Sequence, residues 1–280
     1  MTRVKALEKL FLRNFQETHI RTDVRVKEEI EKLVKKPYIF LKRFLNQPCF
    51  ENSTNETKIS YLNINGFSSH KEDISTDINL LESDVIVLAE TKSRSGCDSF
   101  KIPGFHCISV LEAVNDQSGG MALLCKEEKK HEIKLIEKKH IDFDSCYIEY
   151  IKAEFNKQIY SCVYLHPAVA TKGQKWLKEQ MDIFEDSSGK MLLISLFFIY
   201  QPYIAAILGD FNLKSEDQGD LKKLENILPN FNVFIRGPTF QRSNHFSSID
   251  HIFVSKALSD PFNCTAFRNI YSDHSAISFR

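Results

Sequence analysis

Gly209-Asp210-Phe211-Asn212 stands directly behind an apolar run, Tyr203-Ile204-Ala205-Ala206-Ile207-Leu208. Such a run reads as a strand buried on both faces. A carboxylate at its end can be aimed rigidly, because the packing beneath holds its rotamer. Asn212 lies two residues on and points to the same side in an extended chain. One group can take a proton while the other donates to an oxyanion. Asp and Asn are also ordinary turn residues, so these four positions alone leave both readings open. The pattern recurs, however. Asn63 and Asn65 close one apolar stretch, Glu90 another, and Tyr164 comes near the end of a third. Asp250 sits inside a late apolar segment, and Asp273-His274 precede the last one.

The elements that must position these side chains follow from periodicity. Ile59–Gly66, Asp84–Glu90 and Gly119–Leu124 read as strands, and Ile74, Ile78 and Leu81 mark one helix face between the first two. Tyr147–Phe155 and Gln158–Leu165 flank Asn156-Lys157, a hairpin signal without a glycine. Trp176, Gln180 and Phe184 frame an amphipathic helix; Leu221, Leu224 and Leu228 mark another. Ser248–Val254 and Ala276–Phe279 are late strands. Hairpins mixed with helices argue against an all-parallel doubly wound sheet. Two sheets packed face to face, with helices outside, suit the count better.

Composition sets the frame. The chain has 280 residues, 42% hydrophobic and 26% charged, with a formal net charge of zero. That suits one large domain, or one domain with an extension, and removes any argument from global basicity. Charge is uneven: residues 1–50 hold 12 Lys+Arg against 6 Asp+Glu, and the remainder 25 against 31. Leu7, Phe11 and Phe15, then Val26, Ile30, Leu33 and Val34, give the first 50 residues a helical pattern. We therefore expect a basic helical extension and linker over 1–57 and a globular domain over 58–280. Seven cysteines without C-x-x-C pairs read as mostly reduced core residues. No apolar signal core follows Met1, which gives an intracellular, not secreted, protein, the nucleus included. Met191–Leu208 is barely long enough for a membrane span and is interrupted at Tyr200-Gln201-Pro202, so no membrane association is expected.

Six stretches carry a resemblance: Leu62-Asn63-Ile64-Asn65-Gly66, Leu88-Ala89-Glu90-Thr91-Lys92, Tyr164-Leu165-His166-Pro167, Gly209-Asp210-Phe211-Asn212, Ser248-Ile249-Asp250-His251 and Ser272-Asp273-His274. Each is weak alone, but all six come in the order of the endonuclease/exonuclease/phosphatase superfamily, which the chain resembles from about residue 58 to its end. Within it, the chain is most similar to the endonuclease domains of non-LTR retrotransposons and Helitron-type transposons. The resemblance implies an α/β fold, a four-layer αββα sandwich. It implies hydrolysis of a phosphoester by in-line water attack with Mg²⁺, or Mn²⁺ in its place. DNA is the implied substrate, and a helicase or reverse transcriptase is the implied partner in a larger polyprotein.

Roles then follow by position. Glu90 would be the principal metal ligand, aided through water by Asn65 and Asp273. Asp210 would align or deprotonate the attacking water. Asn63, Tyr164 and Asn212 would donate to phosphate oxygens. His274, polarised by Asp250, would bind the phosphate as it gains charge. Apurinic endonucleases commonly carry Asp where Asn65 stands, so the metal site here has one charge fewer. His166 has no assigned role and reads as a loop histidine. A phosphatase of inositol or lipid phosphates, and a degenerate nucleic-acid-binding module, are the alternatives to a DNA endonuclease.

Overall fold

The computed structural model describes residues 57–280, except 115–117, 144–145, 174, 182–203, 235–236, 244 and 259–261. The expected basic extension and much of the 191–208 apolar run lie outside the described residues, as does Phe184. No helix among the described residues is long and apolar enough to cross a membrane.

Two six-stranded mixed sheets form the body. The first contains β1 (Ile59–Asn63), β2 (Val85–Ala89), β3 (Phe105–Leu111), β4 (Met121–Lys126), β13 (Cys264–Arg268) and β14 (Ser275–Phe279), in the order β13-β14-β1-β2-β4-β3. The second contains β5 (Ile133–Phe143), β6 (Cys146–Phe155), β7 (Gln158–Leu165), β8 (Ile204–Asp210), β9 (Phe231–Phe234) and β12 (Asp250–Ser255), in the order β5-β6-β7-β8-β12-β9. A two-stranded ribbon pairs β10 (Phe240–Arg242) with β11 (His245–Ser247). Among the described residues, only β1–β2 and β7–β8 of the two large sheets run parallel.

Alternation along the strands decides the layers. Ile59, Tyr61, Val85, Val87 and Leu123 of the first sheet meet Ile151, Phe155, Cys162, Leu208 and Ile252 of the second in the central core. The opposite residues of each strand face helices. Leu62, Ile86 and Leu88 pack with Phe67, Ile74 and Leu80 of α1 (Phe67–Ile74) and α2 (Ile78–Leu81). Val163, Ile207 and Phe253 pack with Leu224 and Ile227 of α3 (Gln218–Ile227) and with Leu177 and Met181 of a helical stretch over 175–181. The four-layer αββα arrangement is therefore built as the sequence implied.

Several local expectations change. The helix face read through Ile74, Ile78 and Leu81 is two short helices, because Asp77 caps α2 by accepting from Asn79 N and Leu80 N. Trp176 is only half-buried, and Leu177 and Met181 form the apolar face of 175–181 instead. β3, β5, β9, β10, β11 and β13 have no counterpart in the sequence reading. The hairpin after β6 turns at Asn156 (φ 49°) and Lys157 (φ 63°), the paired positive φ of a two-residue turn that matches strand twist.

Gly209 has a specific reason. It sits opposite Val163 in the parallel pair, where an added Cβ would come within 2.1 Å of the Val163 carbonyl oxygen. β7 and β8 would have to separate. Gly209→Ala is expected to destabilise the protein by about 3 kcal/mol, read as a fall in the urea midpoint. An unchanged midpoint would mean that the strands have slack at this point.

Candidate active site

The two parallel pairs aim their C-terminal ends at one rim. β1 ends at Asn63, β2 is followed by Glu90, β7 ends just beyond Tyr164, and β8 ends at Asp210. The antiparallel neighbours β12 and β14 begin at that same rim, with Asp250 directly opposite Asp210 and His274 just before β14. Register alone thus gathers residues far apart in the chain. The strand ends curl sharply there: Asn65 (φ 51°), Glu90 (φ 48°) and Asn212 (φ 51°) all take the left-handed conformation, a strain that is concentrated at functional sites.

Asn63 joins the two halves. Its Nδ2 donates to Glu90 Oε1 at 2.9 Å and to Asp210 Oδ2 at 3.0 Å. Its Oδ1 accepts from Asn65 N, and its backbone carbonyl accepts from the Ser272 hydroxyl. Ser272 Oγ in turn accepts from His274 N at 3.1 Å. On the other side, Asp250 holds His274 Nδ1 at 3.0 and 3.2 Å with its two oxygens. A hydrogen between Nδ1 and a carboxylate leaves Nε2 as the working atom. It lies 3.8 Å from Asp210 Oδ2, beyond hydrogen-bonding distance, so its N–H is not consumed there.

Burial and charge tune these groups. Asp210 is 1% exposed, and burial together with the Asp250 charge pushes its carboxyl up to about 7, against the pull of His274 and Asn63. Burial opposes the charged form of His274, but the Asp250 and Asp210 carboxylates more than offset it and raise the imidazole to about 9. The environment thus makes Asp210 easier to protonate and His274 harder to deprotonate than their free side chains.

Asn63, Asn65, Glu90, Asp210, Asn212, Asp273 and His274 line an open cleft of about 930 Å³. Asp250 and Tyr164 stand behind its wall. Tyr164 is 2% exposed; burial, then the charges of Glu90 and Asp210, hold its hydroxyl well above the usual phenol range, and the hydroxyl is directed at Glu90. Asn212 gives its amide to Leu165 O at 2.7 Å, and its backbone N–H to Asp210 Oδ1 at 3.0 Å. Asn65 Oδ1 accepts from the Lys92 ammonium. His166 accepts from Ala168 N and leans on Tyr147, so it shapes a turn.

Three residues outside the sequence reading matter here. Thr239 Oγ1 accepts from Ile249 N and Asp250 N at 3.1 and 3.0 Å, fixing the start of β12. Ser272 ties Asn63 to His274, and Lys92 occupies Asn65. Thr239 had no periodic signal; Ser272 and Lys92 lay inside quoted motifs without a role.

The Endonuclease/Exonuclease/phosphatase family matches residues 61–274. The chain belongs to that family. No curated protein matches it. Among solved structures, the endonuclease domain of TRAS1, a telomere-specific non-LTR retrotransposon, is similar at 16% identity and TM-score 0.54, over 80% of this chain and 96% of that one. The Neisseria 3′ phosphatase NExo, bound to a product DNA hairpin, is similar at 14% identity and TM-score 0.57, over 80% and 99%. The human Nocturnin catalytic domain with bound sulfate follows at 14% and 0.53, over 80% and 92%. These likenesses are of fold.

Enzymes of this family typically use a divalent cation. The donor set fits one: Glu90 and Asp273 offer carboxylate oxygens to the cleft, and oxygen-only donors suit a hard cation with retained waters. Asp210, Asp250 and His274 also bring ligand atoms within 4.8 Å of one another. Their atoms are largely engaged by each other and by Asn63 and Asn212, and Glu90 Oε1 takes one bond from Asn63.

Proposed function

We propose that the protein is a Mg²⁺-dependent phosphodiesterase, a transposon-derived endonuclease that nicks DNA. The observation that supports it best is the Asn63 bridge. One amide nitrogen there holds both the Glu90 and the Asp210 carboxylates, with His274 beside them, which supports a cation at the first and a base at the second. A cation held by Glu90, with Asp273 and Asn65 through water, would neutralise charge on the phosphate. Asp210 orients a water with one oxygen and takes its proton. His274 donates Nε2–H to the phosphate as its charge grows, and Asp250 keeps that ring oriented and charged. Asn63 holds both carboxylates in place while Asn212 fixes the Asp210 rotamer through its backbone. Tyr164, buried beside Glu90 and Asp210, supports these carboxylates and is the remaining hydroxyl donor for a phosphate oxygen.

DNA is favoured by the cleft lining and by what the similar folds act on. Lys214, Arg242 and exposed Phe246 edge the cleft, a mixture suited to phosphate and base contacts. The surplus of positive charge in residues 1–50 would add sequence-independent attraction. A helicase or reverse transcriptase partner and a nuclear site of action belong to the same reading. The 3′ phosphatase among the similar folds keeps a monoesterase activity in view. The test is supercoiled plasmid with Mg²⁺, with and without chelator, beside phosphate release from 3′-phosphorylated DNA and from inositol phosphates. Chelator-sensitive nicking is expected. Phosphate release without nicking would overturn the endonuclease reading.

A further inference from the structure

A second charged cluster lies behind Glu90, on the other sheet. Glu149, in the middle of β6, is fully buried. Its oxygens accept the Gly120 N–H at 2.9 and 3.1 Å, and its Oε1 lies 2.9 Å from His140 Nδ1. His140 Nε2 in turn meets Asp142 Oδ1 at 2.9 Å, and Tyr147 stacks on the imidazole at 4.9 Å. Burial works against a charged His140, yet the bonds to Glu149 and Asp142 leave it above its ordinary value. A buried carboxylate is costly unless paired and hydrogen-bonded; Glu149 has both kinds of partner, and burial still holds its carboxyl above the usual range.

The turn that Glu149 grips belongs to the first sheet. Gly119 (φ 80°) and Gly120 (φ 88°) precede β4. Their carbonyls accept from Lys92 N at 2.9 Å and Thr91 N at 3.0 Å, the two amides that follow Glu90. The path leaves no room for side chains: a Cβ at Gly119 would lie 2.8 Å from Glu149 Oε1, and one at Gly120 2.6 Å from Thr91 Oγ1. The strained backbone of Glu90 is thus anchored from behind by a residue of the sheet that carries Asp210.

We infer that Glu149, clamped by His140, is a positioning residue. It ties the Gly119-Gly120 turn to the second sheet and so sets where Glu90 stands relative to Asp210. The inference rests on the reading of Glu90 as the principal cation ligand. The mechanical part stands on the hydrogen bonds alone.

Glutamine at 149 keeps the size but has one acceptor oxygen. In the place of Oε1 that oxygen can still accept from Gly120 N–H and from His140 Nδ1, but the charge is lost and an NH2 group replaces the oxygen that takes the shorter Gly120 bond, so amide hydrogens face the Gly120 N–H. The full-length protein and its Glu149→Gln, His140→Gln and Glu90→Gln variants would be compared by Mn²⁺ binding (electron paramagnetic resonance), by amide exchange at Thr91 and Lys92, and by Mg²⁺ titration of the rate. For Glu149→Gln we expect Mn²⁺ affinity to fall about tenfold. Thr91 and Lys92 should exchange faster, and the rate should recover at saturating Mg²⁺. His140→Gln should do the same more weakly, and it decides the matter if Glu149→Gln does not fold. Unchanged exchange at Thr91 and Lys92 in the folded variants would overturn the inference. So would wild-type Mn²⁺ affinity in Glu149→Gln where Glu90→Gln has lost it. Faster exchange together with wild-type Mn²⁺ binding in Glu90→Gln would uphold the clamp and remove Glu90 from the metal site.

Discussion

Asp250→Asn is expected to lower turnover by about a hundredfold or more, the scale of losing a preorganised donor to a developing charge. The substitution keeps the size of the side chain and a hydrogen-bonding oxygen for His274 Nδ1. It removes the charge that keeps the ring protonated. In the wild-type protein the rate should rise as Asp210 loses its proton through about pH 7, because only the carboxylate can accept one. It should fall as His274 loses its own through about pH 9, because only the imidazolium donates from Nε2 without a partner at Nδ1 giving way. Asp250 raises both groups: it repels the Asp210 carboxylate and attracts the imidazolium. Its removal therefore moves both limbs of the bell to lower pH. Rate profiles of the two proteins, with NMR titration of His274, check this. A His274 that titrates identically in both would make Asp250 a structural residue only.

Glu90→Gln should cut nicking on the order of a hundredfold at limiting Mg²⁺, with partial recovery at high Mg²⁺ or with Mn²⁺. The amide oxygen can still accept from Asn63 Nδ2, so the bridge to Asp210 and the fold should survive. What is lost is the charge on the side of the cleft shared with Asp273. Mn²⁺ titration and thermal melting together separate the two effects: weaker ion binding with an unchanged melting temperature is the expected pair. Unchanged cation dependence would remove Glu90 from the metal site. Asp210, Asp250 and His274, whose ligand atoms lie within 4.8 Å of one another, would then be the place to look.

The strands that carry the site were legible because they are buried on both faces. Val85–Ala89 and Ile204–Asp210 are continuous apolar runs, and a polar residue that ends such a run is conspicuous. The order of those endings matched that of the family, and it was that resemblance that implied the four layers. The exposed edge strand Ile133–Phe143 was not legible: lysines and glutamate fill positions that a core strand would give to apolar residues, so no periodicity marks it. Glu149 left no mark of its own: β6 also carries Lys152 and Glu154, and nothing local says which carboxylate is buried or what it holds.

Contacts across the fold were decided only by the tertiary structure. Asn63 and Asp210 are 147 residues apart, and their bond exists because β1 and β8 lie in facing sheets with their ends at one rim. Tyr164 reads from the sequence only as a residue near a strand end; the fold buries it and sets its hydroxyl under the charges of Glu90 and Asp210. Asn212 gives one amide hydrogen to Leu165 O, a partner the sequence did not show, and keeps the other at the cleft. Side-chain type fixes which chemistry a residue can do. Strand register and sheet packing fix which partner it meets, and a partner in the other sheet leaves no mark within a few residues of chain.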